Sequence, residues 1–330
     1  MAGLKGSFCR SIDYVRISVT DRCNYRCQYC MPPEGVSCLE HGEILTYEEI
    51  QRLCRILLDL GVRKVRFTGG EPMVRKGFLD FLEKFTKELP ELHVALTTNG
   101  SLLGLSAERL SKIPLSGLNV SLDSMDAEKF HALTRTGSLE GVLGGIRAFR
   151  AISGVPIKIN TVLIKGFNDT EIPALLDFAR ECGAVLRLIE FMPLDDSVWS
   201  RDRFIPAEEI LERLPNRERW LPDTVFGRDP NHGVPEGPAR YLVHSVTGQR
   251  MGIIAAVSRH FCDTCNRLRV TASGEIRSCL FSTQGVSVRK ALREGDEKGA
   301  RDLILAEAWK KPRCWADAAA CSQHMSQIGG

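Results

Sequence analysis

The chain has 330 residues, 43% hydrophobic and 26% charged, with a formal net charge of +3. That balance suits a globular α/β domain or one domain with an appendage, and the charge is too small to indicate a nucleic-acid or anionic membrane surface. No run approaches the roughly 20 apolar residues of a membrane span, and the first residues lack the apolar core of a secretory signal. The cytoplasm is the expected compartment, where the twelve cysteines read as metal ligands or redox groups rather than disulfides.

Apolar or β-branched runs predict strands at residues 14–20, 62–67, 93–98, 118–122, 157–164 and 184–191. Helical patterns lie between them at 47–60, 78–89, 107–112, 139–152 and 171–182. Thr46 ahead of Glu48 and Glu49 reads as an N-cap with an acidic first turn, and Gly61 as the stop. Each crossover is long enough to hold a helix, so the strands pair in parallel. The pattern fits a barrel-like sheet or an open doubly wound one. In both, ligands sit at the carboxyl ends of strands. Thr68, Gly69, Gly70, Thr97, Thr98, Asn99, Ser121 and Asp123 occupy those ends.

The character changes after Pro193. A short helix is expected at 207–214, followed by a proline- and glycine-rich connection over 221–238. Two hairpin-like units then turn at Thr247-Gly248 and Ser273-Gly274. Helical patterns near 286–293 and 301–310 close the chain.

Cys23, Cys27 and Cys30 form Cys-x3-Cys-x2-Cys directly after the first strand. Three thiolates suit a cubane cluster with one iron left open, where the amino and carboxylate groups of S-adenosylmethionine (SAM) can bind. Structural zinc is the plainer reading, but it normally takes four protein ligands. Cys9 or Cys38 would have to complete it, or Cys27 and Cys30 would pair with Cys262 and Cys265. The uneven spacing favours the cluster. Cys262, Cys265 and Cys279 form a second trio, Cys-x2-Cys-x13-Cys, with a hairpin returning Cys279. It reads as a second open cluster or as a zinc knuckle completed by His260 or another side chain.

Arg267 and Arg269 alternate along the strand that leaves Cys265 and therefore share a face. A paired guanidinium face beside an open iron suits a phosphate-bearing or purine substrate; the alternative is a solvated strand face. Arg16, Arg66, Lys158 and Arg187 each interrupt an otherwise apolar strand pattern. One snorkelling cation is ordinary, but four on separate strands imply a basic cavity for a polyanion. Cys54 and Cys182 fit small core positions. Cys314, Cys321 and the scattered Trp199, Trp220, Trp309 and Trp315 receive no functional role.

The motifs resemble those of the radical SAM superfamily. Arg22-Cys23-Asn24-Tyr25-Arg26-Cys27-Gln28-Tyr29-Cys30 matches its cluster motif, with an aromatic before the third cysteine. Thr68-Gly69-Gly70-Glu71-Pro72 matches the turn after the second strand. The resemblance implies an α/β fold, an incomplete (β/α)6 TIM-like barrel over 1–193. Residues 194–330 would form a C-terminal antiparallel-strand and helix extension carrying a second iron–sulfur cluster and the Gly-Gly tail. Gly70 and Glu71 would hold the methionine part of SAM, with Tyr29, Ser121 and Met192 packing or orienting it.

Nearly end to end, the chain is similar to the GTP 3′,8-cyclase family of molybdenum-cofactor biosynthesis. The similarity rests on Asp13-Tyr14-Val15-Arg16-Ile17-Ser18-Val19-Thr20-Asp21-Arg22-Cys23, Lys165-Gly166-Phe167-Asn168-Asp169 and Phe261-Cys262-Asp263-Thr264-Cys265-Asn266-Arg267-Leu268-Arg269. Ser278-Cys279-Leu280-Phe281 and Ile328-Gly329-Gly330 add to it. The resemblance implies two 4Fe-4S clusters, SAM, and GTP held by Arg16, Arg66, Thr97, Lys158, Arg187, Arg267 and Arg269. Arg267, Arg269, Gly329 and Gly330 would serve catalysis.

The implied reaction starts with a 5′-deoxyadenosyl radical taking the 3′ hydrogen of GTP. The ribose radical then joins C8 of guanine, giving (8S)-3′,8-cyclo-7,8-dihydroguanosine 5′-triphosphate. Implied partners are a low-potential electron donor such as flavodoxin or ferredoxin, and a downstream cyclic pyranopterin monophosphate synthase. No nucleic acid or membrane is expected, and a homodimer is possible. Competing readings are another radical SAM enzyme with an auxiliary cluster, such as a peptide modifier, and a non-catalytic iron–sulfur or zinc protein.

Overall fold

Alternation within single strands decides the architecture of the computed structural model, which describes residues 3–195, 197–227, 237–318 and 325–328. In β5 (Ile157–Leu163), Ile157, Ile159, Thr161 and Leu163 are buried, while Lys158, Asn160 and Val162 line a cavity on the opposite face. The same two-residue period runs through β1 (Tyr14–Ser18), β2 (Lys64–Thr68), β4 (Gly117–Ser121) and β6 (Val185–Glu190). With β3 (His93–Thr98) these are the six expected strands, and sequential neighbours pair in parallel throughout.

The crossovers are α1 (Tyr47–Asp59), α2 (Phe78–Glu88), α3 (Leu103–Ser111), α4 (Ala127–Thr134) with α5 (Leu139–Ile152), and α6 (Ile172–Glu181). At the head of α1, the Thr46 hydroxyl accepts from the Glu49 N–H. Glu49 in turn accepts from the Thr46 N–H at 2.8 Å, closing a capping box. The outward strand residues pack under these helices; Phe67 meets Phe78, Phe81 and Phe85 edge-on at 5.0–6.3 Å. Burying each such ring contributes about 1.5–3 kcal/mol.

The C-terminal part lengthens the same sheet at both ends. Its strands are β7 (Trp220–Pro222), β8 (Arg240–His244), β9 (Arg250–Ile254), β10 (Arg267–Val270), β11 (Glu275–Arg277) and β12 (Val286–Ser287). The order is β12-β11-β10-β1-β2-β3-β4-β5-β6-β9-β8-β7, an unclosed sheet. The expected antiparallel hairpins form, with left-handed glycines at Gly248 (φ 69°) and Gly274 (φ 80°) in their turns. Their inner strands run parallel to the barrel, however: β10 to β1 and β9 to β6. Both pairings satisfy backbone groups that β1 and β6 would otherwise leave exposed as edges.

The fully buried Glu190, at the end of β6, accepts from the N–H groups of Ala207, Val257 and Ser258 at 2.7–2.9 Å. It thereby ties the barrel to the extension. Among the described residues, four α-helices belong to the C-terminal part: α7 (Ala207–Glu212), α8 (Arg289–Glu294), α9 (Glu297–Trp309) and α10 (Met325–Ile328). The helix expected at 286–293 starts only at Arg289, because Val286 and Ser287 pair with β11. Among the described residues, no helix is long and apolar enough to cross a membrane.

Candidate active site

The concave face of the sheet bounds a cavity of about 2080 Å³, counting its open mouth, and both cysteine trios line it. The first trio stands on the loop leaving β1. A turn there brings Cys30 N–H onto the Cys27 carbonyl at 2.9 Å. Two bonds sew the loop to the end of α4: Arg26 N–H to the Thr134 carbonyl (3.0 Å) and Gln28 N–H to the Leu133 carbonyl (2.9 Å). On its other side, Gly70 N–H donates to the Thr20 carbonyl and Glu71 N–H to the Arg22 carbonyl, each at 2.8 Å. A Cβ built on Gly70 would collide with that Arg22 carbonyl. Glycine is thus required where the two loops pack against each other.

Burial pushes the thiols of Cys23, Cys27 and Cys30 up. Thiolates in such surroundings need a metal centre's positive charge. The Cys23 sulfur accepts from the Tyr25 N–H at 3.4 Å and the Asn99 amide at 3.8 Å, a donor setting that suits cluster sulfur. The donor set therefore fits an iron–sulfur cluster. Among the described residues, no three His, Cys, Asp or Glu side chains stand close enough to hold a single metal ion. Cluster ligands bind different corners of a cubane and stand farther apart.

Around the first trio, Tyr29, Gly70, Ser121 and Met192 line the cavity. Glu71 is set back from the wall: it is fully buried and accepts from Met73 N–H (3.1 Å), Thr98 hydroxyl (2.9 Å) and Asn99 N–H (2.7 Å). Burial lifts its carboxyl to about 7 despite these donors. Its oxygens are taken up in fixing the turn that carries Asn99. The Tyr29 hydroxyl donates to Asp123 at 2.6 Å, and burial lifts Asp123 to about 6.

The cations expected on separate strands do converge. Arg16, Arg66, Lys158, Arg187, Arg267 and Arg269 all line the cavity, and Thr97 lines it with them. Register explains the density: Arg16 stands level with Arg66 on one side and Arg269 on the other, on strands about 4.8 Å apart. Arg66 donates to the Leu96 carbonyl at 2.9 Å, and Arg187 to Asn160 at 2.9 Å. Burial, then mutual repulsion, lowers Arg16 and brings Arg269 down to about 10. Such a cluster of like charge is built for a polyanion.

The second trio is assembled from distant pieces. Cys262 and Cys265 sit on one turn (Cys265 N–H to the Cys262 carbonyl, 3.2 Å), and Cys279 follows β11. Arg10 donates to the Cys262 carbonyl at 2.9 Å, and the Trp315 N–H bonds to the Cys262 side chain. The buried Lys311 ammonium donates to the carbonyls of Arg267 (2.7 Å) and Ser278 (2.8 Å) and to Cys265. Burial opposes ionisation of Cys265, yet Arg267 and Lys311 outweigh it and hold the thiol at about 6.

Residues 17–179 match the family model described as Radical SAM superfamily, and residues 184–316 the one described as Molybdenum Cofactor Synthesis C. GTP 3′,8-cyclase of Thermodesulfovibrio yellowstonii is 40% identical over 329 residues, covering 99% of this chain and 100% of that protein. GTP 3′,8-cyclase of Hydrogenovibrio crunogenus is 42% identical over 312 residues, 92% of each chain. The chain belongs to the GTP 3′,8-cyclase family. Among solved structures, Streptococcus suis SuiB bound to S-adenosylmethionine shares the fold. Its TM-score is 0.60 at 15% identity, over 89% of this chain and 65% of SuiB.

For this member of the GTP 3′,8-cyclase family, sequence reading overlooked several cavity residues. Tyr14 and Lys64 line it two positions before Arg16 and Arg66, and that alternation was the available signal. Lys311 had none, because its place depends on how the chain returns after α9. Gly329 and Gly330 lie outside the described residues.

Proposed function

We propose that this chain converts GTP to 3′,8-cyclo-7,8-dihydro-GTP as a radical SAM enzyme with two 4Fe-4S clusters, the first step towards molybdenum cofactor. One observation carries the reading: two cysteine trios and a belt of buried cations open on a single cavity. When bound, the first cluster and SAM supply one-electron chemistry that removes a hydrogen atom from the substrate.

The chain's own residues bind and place. Cys23, Cys27 and Cys30 hold the first cluster, while Cys262, Cys265 and Cys279 hold the second beside the purine. Tyr29, Gly70, Ser121 and Met192 pack SAM. Arg16, Arg66, Thr97, Lys158, Arg187, Arg267 and Arg269 clamp the nucleotide, whose charge repays the crowding of guanidinium groups. Met325 lines the cavity and Ile328 is buried, which supports assigning Gly329 and Gly330 to the same site.

On this reading residues 1–193 handle SAM and residues 194–330 complete the GTP site. A flavodoxin- or ferredoxin-type donor supplies the electron, and cyclic pyranopterin monophosphate synthase takes the product. A reducing compartment such as the cytoplasm fits the eleven described cysteines, all of them free.

The test is anaerobic incubation of cluster-loaded enzyme with SAM, a strong reductant, and GTP present or absent. The expected result is GTP-dependent 5′-deoxyadenosine formed together with a cyclised nucleotide. Deoxyadenosine made equally without GTP, and no cyclised product, would remove the substrate assignment.

A further inference from the structure

Beside the second trio the cavity wall carries a buried ammonium. Lys311 lies just beyond α9, is 3% exposed, and lines the cavity with Cys262, Cys265 and Cys279. Two of its donors go to the carbonyls of Arg267 (2.7 Å) and Ser278 (2.8 Å), and the Cys265 side chain takes up the remaining capacity. Those carbonyls belong to residues two places after Cys265 and one before Cys279. The charge is therefore set between the two arms of the hairpin that carry the ligands. Its own backbone is pinned as well. Arg10, which holds the Cys262 carbonyl at 2.9 Å, donates to the Lys311 carbonyl at 2.8 Å, and the Ser7 hydroxyl donates to the same oxygen.

No acidic side chain balances this ammonium. The neighbouring Lys310 pairs with Glu307 at 3.1 Å, but among the described residues no carboxylate stands within ion-pair distance of Lys311. Carbonyl dipoles solvate an ammonium without neutralising it, and a buried charge lacking a counter-charge is costly. The counter-charge on hand is thiolate sulfur.

We propose that Lys311 tunes the second iron–sulfur cluster, as a fixed buried cation that raises the cluster's reduction potential. This rests on the reading that the second trio holds a cluster. Three thiolates leave a cubane net negative, and reduction adds a further negative charge. A cation held beside it stabilises the reduced form more than the oxidised one. Arg267 acts on Cys265 in the same sense, so removing Lys311 lowers the potential without stripping the site of positive charge.

The experiment is an anaerobic redox titration of the full chain, followed by electron paramagnetic resonance. The parent is Cys27→Ala, in which the first trio contributes no cluster. Lys311→Met, Lys311→Gln and Lys311→Arg are each added to it. Arginine keeps the charge, whereas glutamine keeps an amide donor and loses the charge. Lys311→Met and Lys311→Gln should each cut the reduced-to-oxidised ratio at a fixed applied potential by at least about tenfold, or 59 mV for a one-electron couple. Lys311→Arg should stay close to the parent. A purely structural role would alter cluster uptake and leave the potential where it was.

A parent-like potential in both neutral variants would overturn the proposal. So would a fall in Lys311→Met that Lys311→Gln restores, because the hydrogen bond and not the charge would then be responsible. Equal falls in all three variants, or neutral variants that take up no cluster, would also overturn it by making Lys311 a requirement of shape or assembly. If the Cys27→Ala parent itself binds no cluster while its circular dichroism matches wild type, the two-cluster reading falls and this inference with it. A cluster whose potential ignores position 311 removes the inference alone.

Discussion

The two cysteine trios share one cavity but are built in opposite ways. The first is a contiguous loop, secured by backbone bonds to the Gly69-Gly70-Glu71 turn and to α4, and its thiols are buried beside one another and Asp123, which disfavours ionisation. The second is gathered from the N-terminal Arg10, the β10–β11 hairpin and the stretch after α9. Two cations there hold one of its thiols at about 6. A local loop keeps its ligands together through its own turns. An assembled site depends on long-range side-chain bonds, so the two should fail separately and for different reasons.

The largest expected effect breaks the pair apart. If each trio holds the proposed cluster, Cys27→Ala and Cys265→Ala, each reconstituted with iron and sulfide, should each retain about half the wild-type iron. Cys27→Ala should abolish SAM cleavage altogether. Cys265→Ala should still release 5′-deoxyadenosine but yield no cyclised nucleotide. Loss of SAM cleavage in Cys265→Ala would show that the sites do not act separately.

The same difference decides what sequence alone could reveal. The first trio is legible because its ligands and its Gly-Gly-Glu-Pro partner are compact motifs with fixed places after strands. The cations are legible because Arg16, Arg66, Lys158 and Arg187 violate an apolar strand pattern that nothing else explains. Tyr14 and Lys64 obey that pattern, aromatic or terminal, and so stayed hidden. At Glu71 the sequence does not show which groups the carboxylate meets: three donors from its own turn and from the end of β3 claim its oxygens. The hairpins were visible from their glycine turns. Their parallel pairing with β1 and β6 was not, because an antiparallel neighbour says nothing about the partner on a strand's other edge. Lys311 could not be inferred, since its acceptors lie on segments more than thirty residues away.

A smaller effect isolates loop-to-loop packing at the first trio. Gly70→Ala places a methyl group against the Arg22 carbonyl, and overpacking of this kind costs about 1–3 kcal/mol. Chemical denaturation of the unloaded protein should register that loss. The loaded variant should shed iron from the first site while keeping the second. Equal loss from both sites would mean that the Gly70 contact supports the whole cavity wall.

The smallest effect lies at the second trio, in the one ammonium that spans its hairpin. Lys311 joins the Arg267 and Ser278 carbonyls, so it fixes how far Cys265 stands from Cys279. Methionine keeps an unbranched chain one atom shorter and removes all three donors. Lys311→Met leaves the buried Ser278 carbonyl and the part-buried Arg267 carbonyl without their partner, at a cost of up to about 3 kcal/mol for each. Relief from burying an ammonium offsets part of it, leaving about 1–2 kcal/mol. The expected signature is local: faster release of second-site iron to a chelator, with unchanged SAM cleavage at the first. If both sites release iron at wild-type rates, the hairpin's own turn at Gly274 is enough to hold Cys279 in place. The second trio would then be as self-contained as the first.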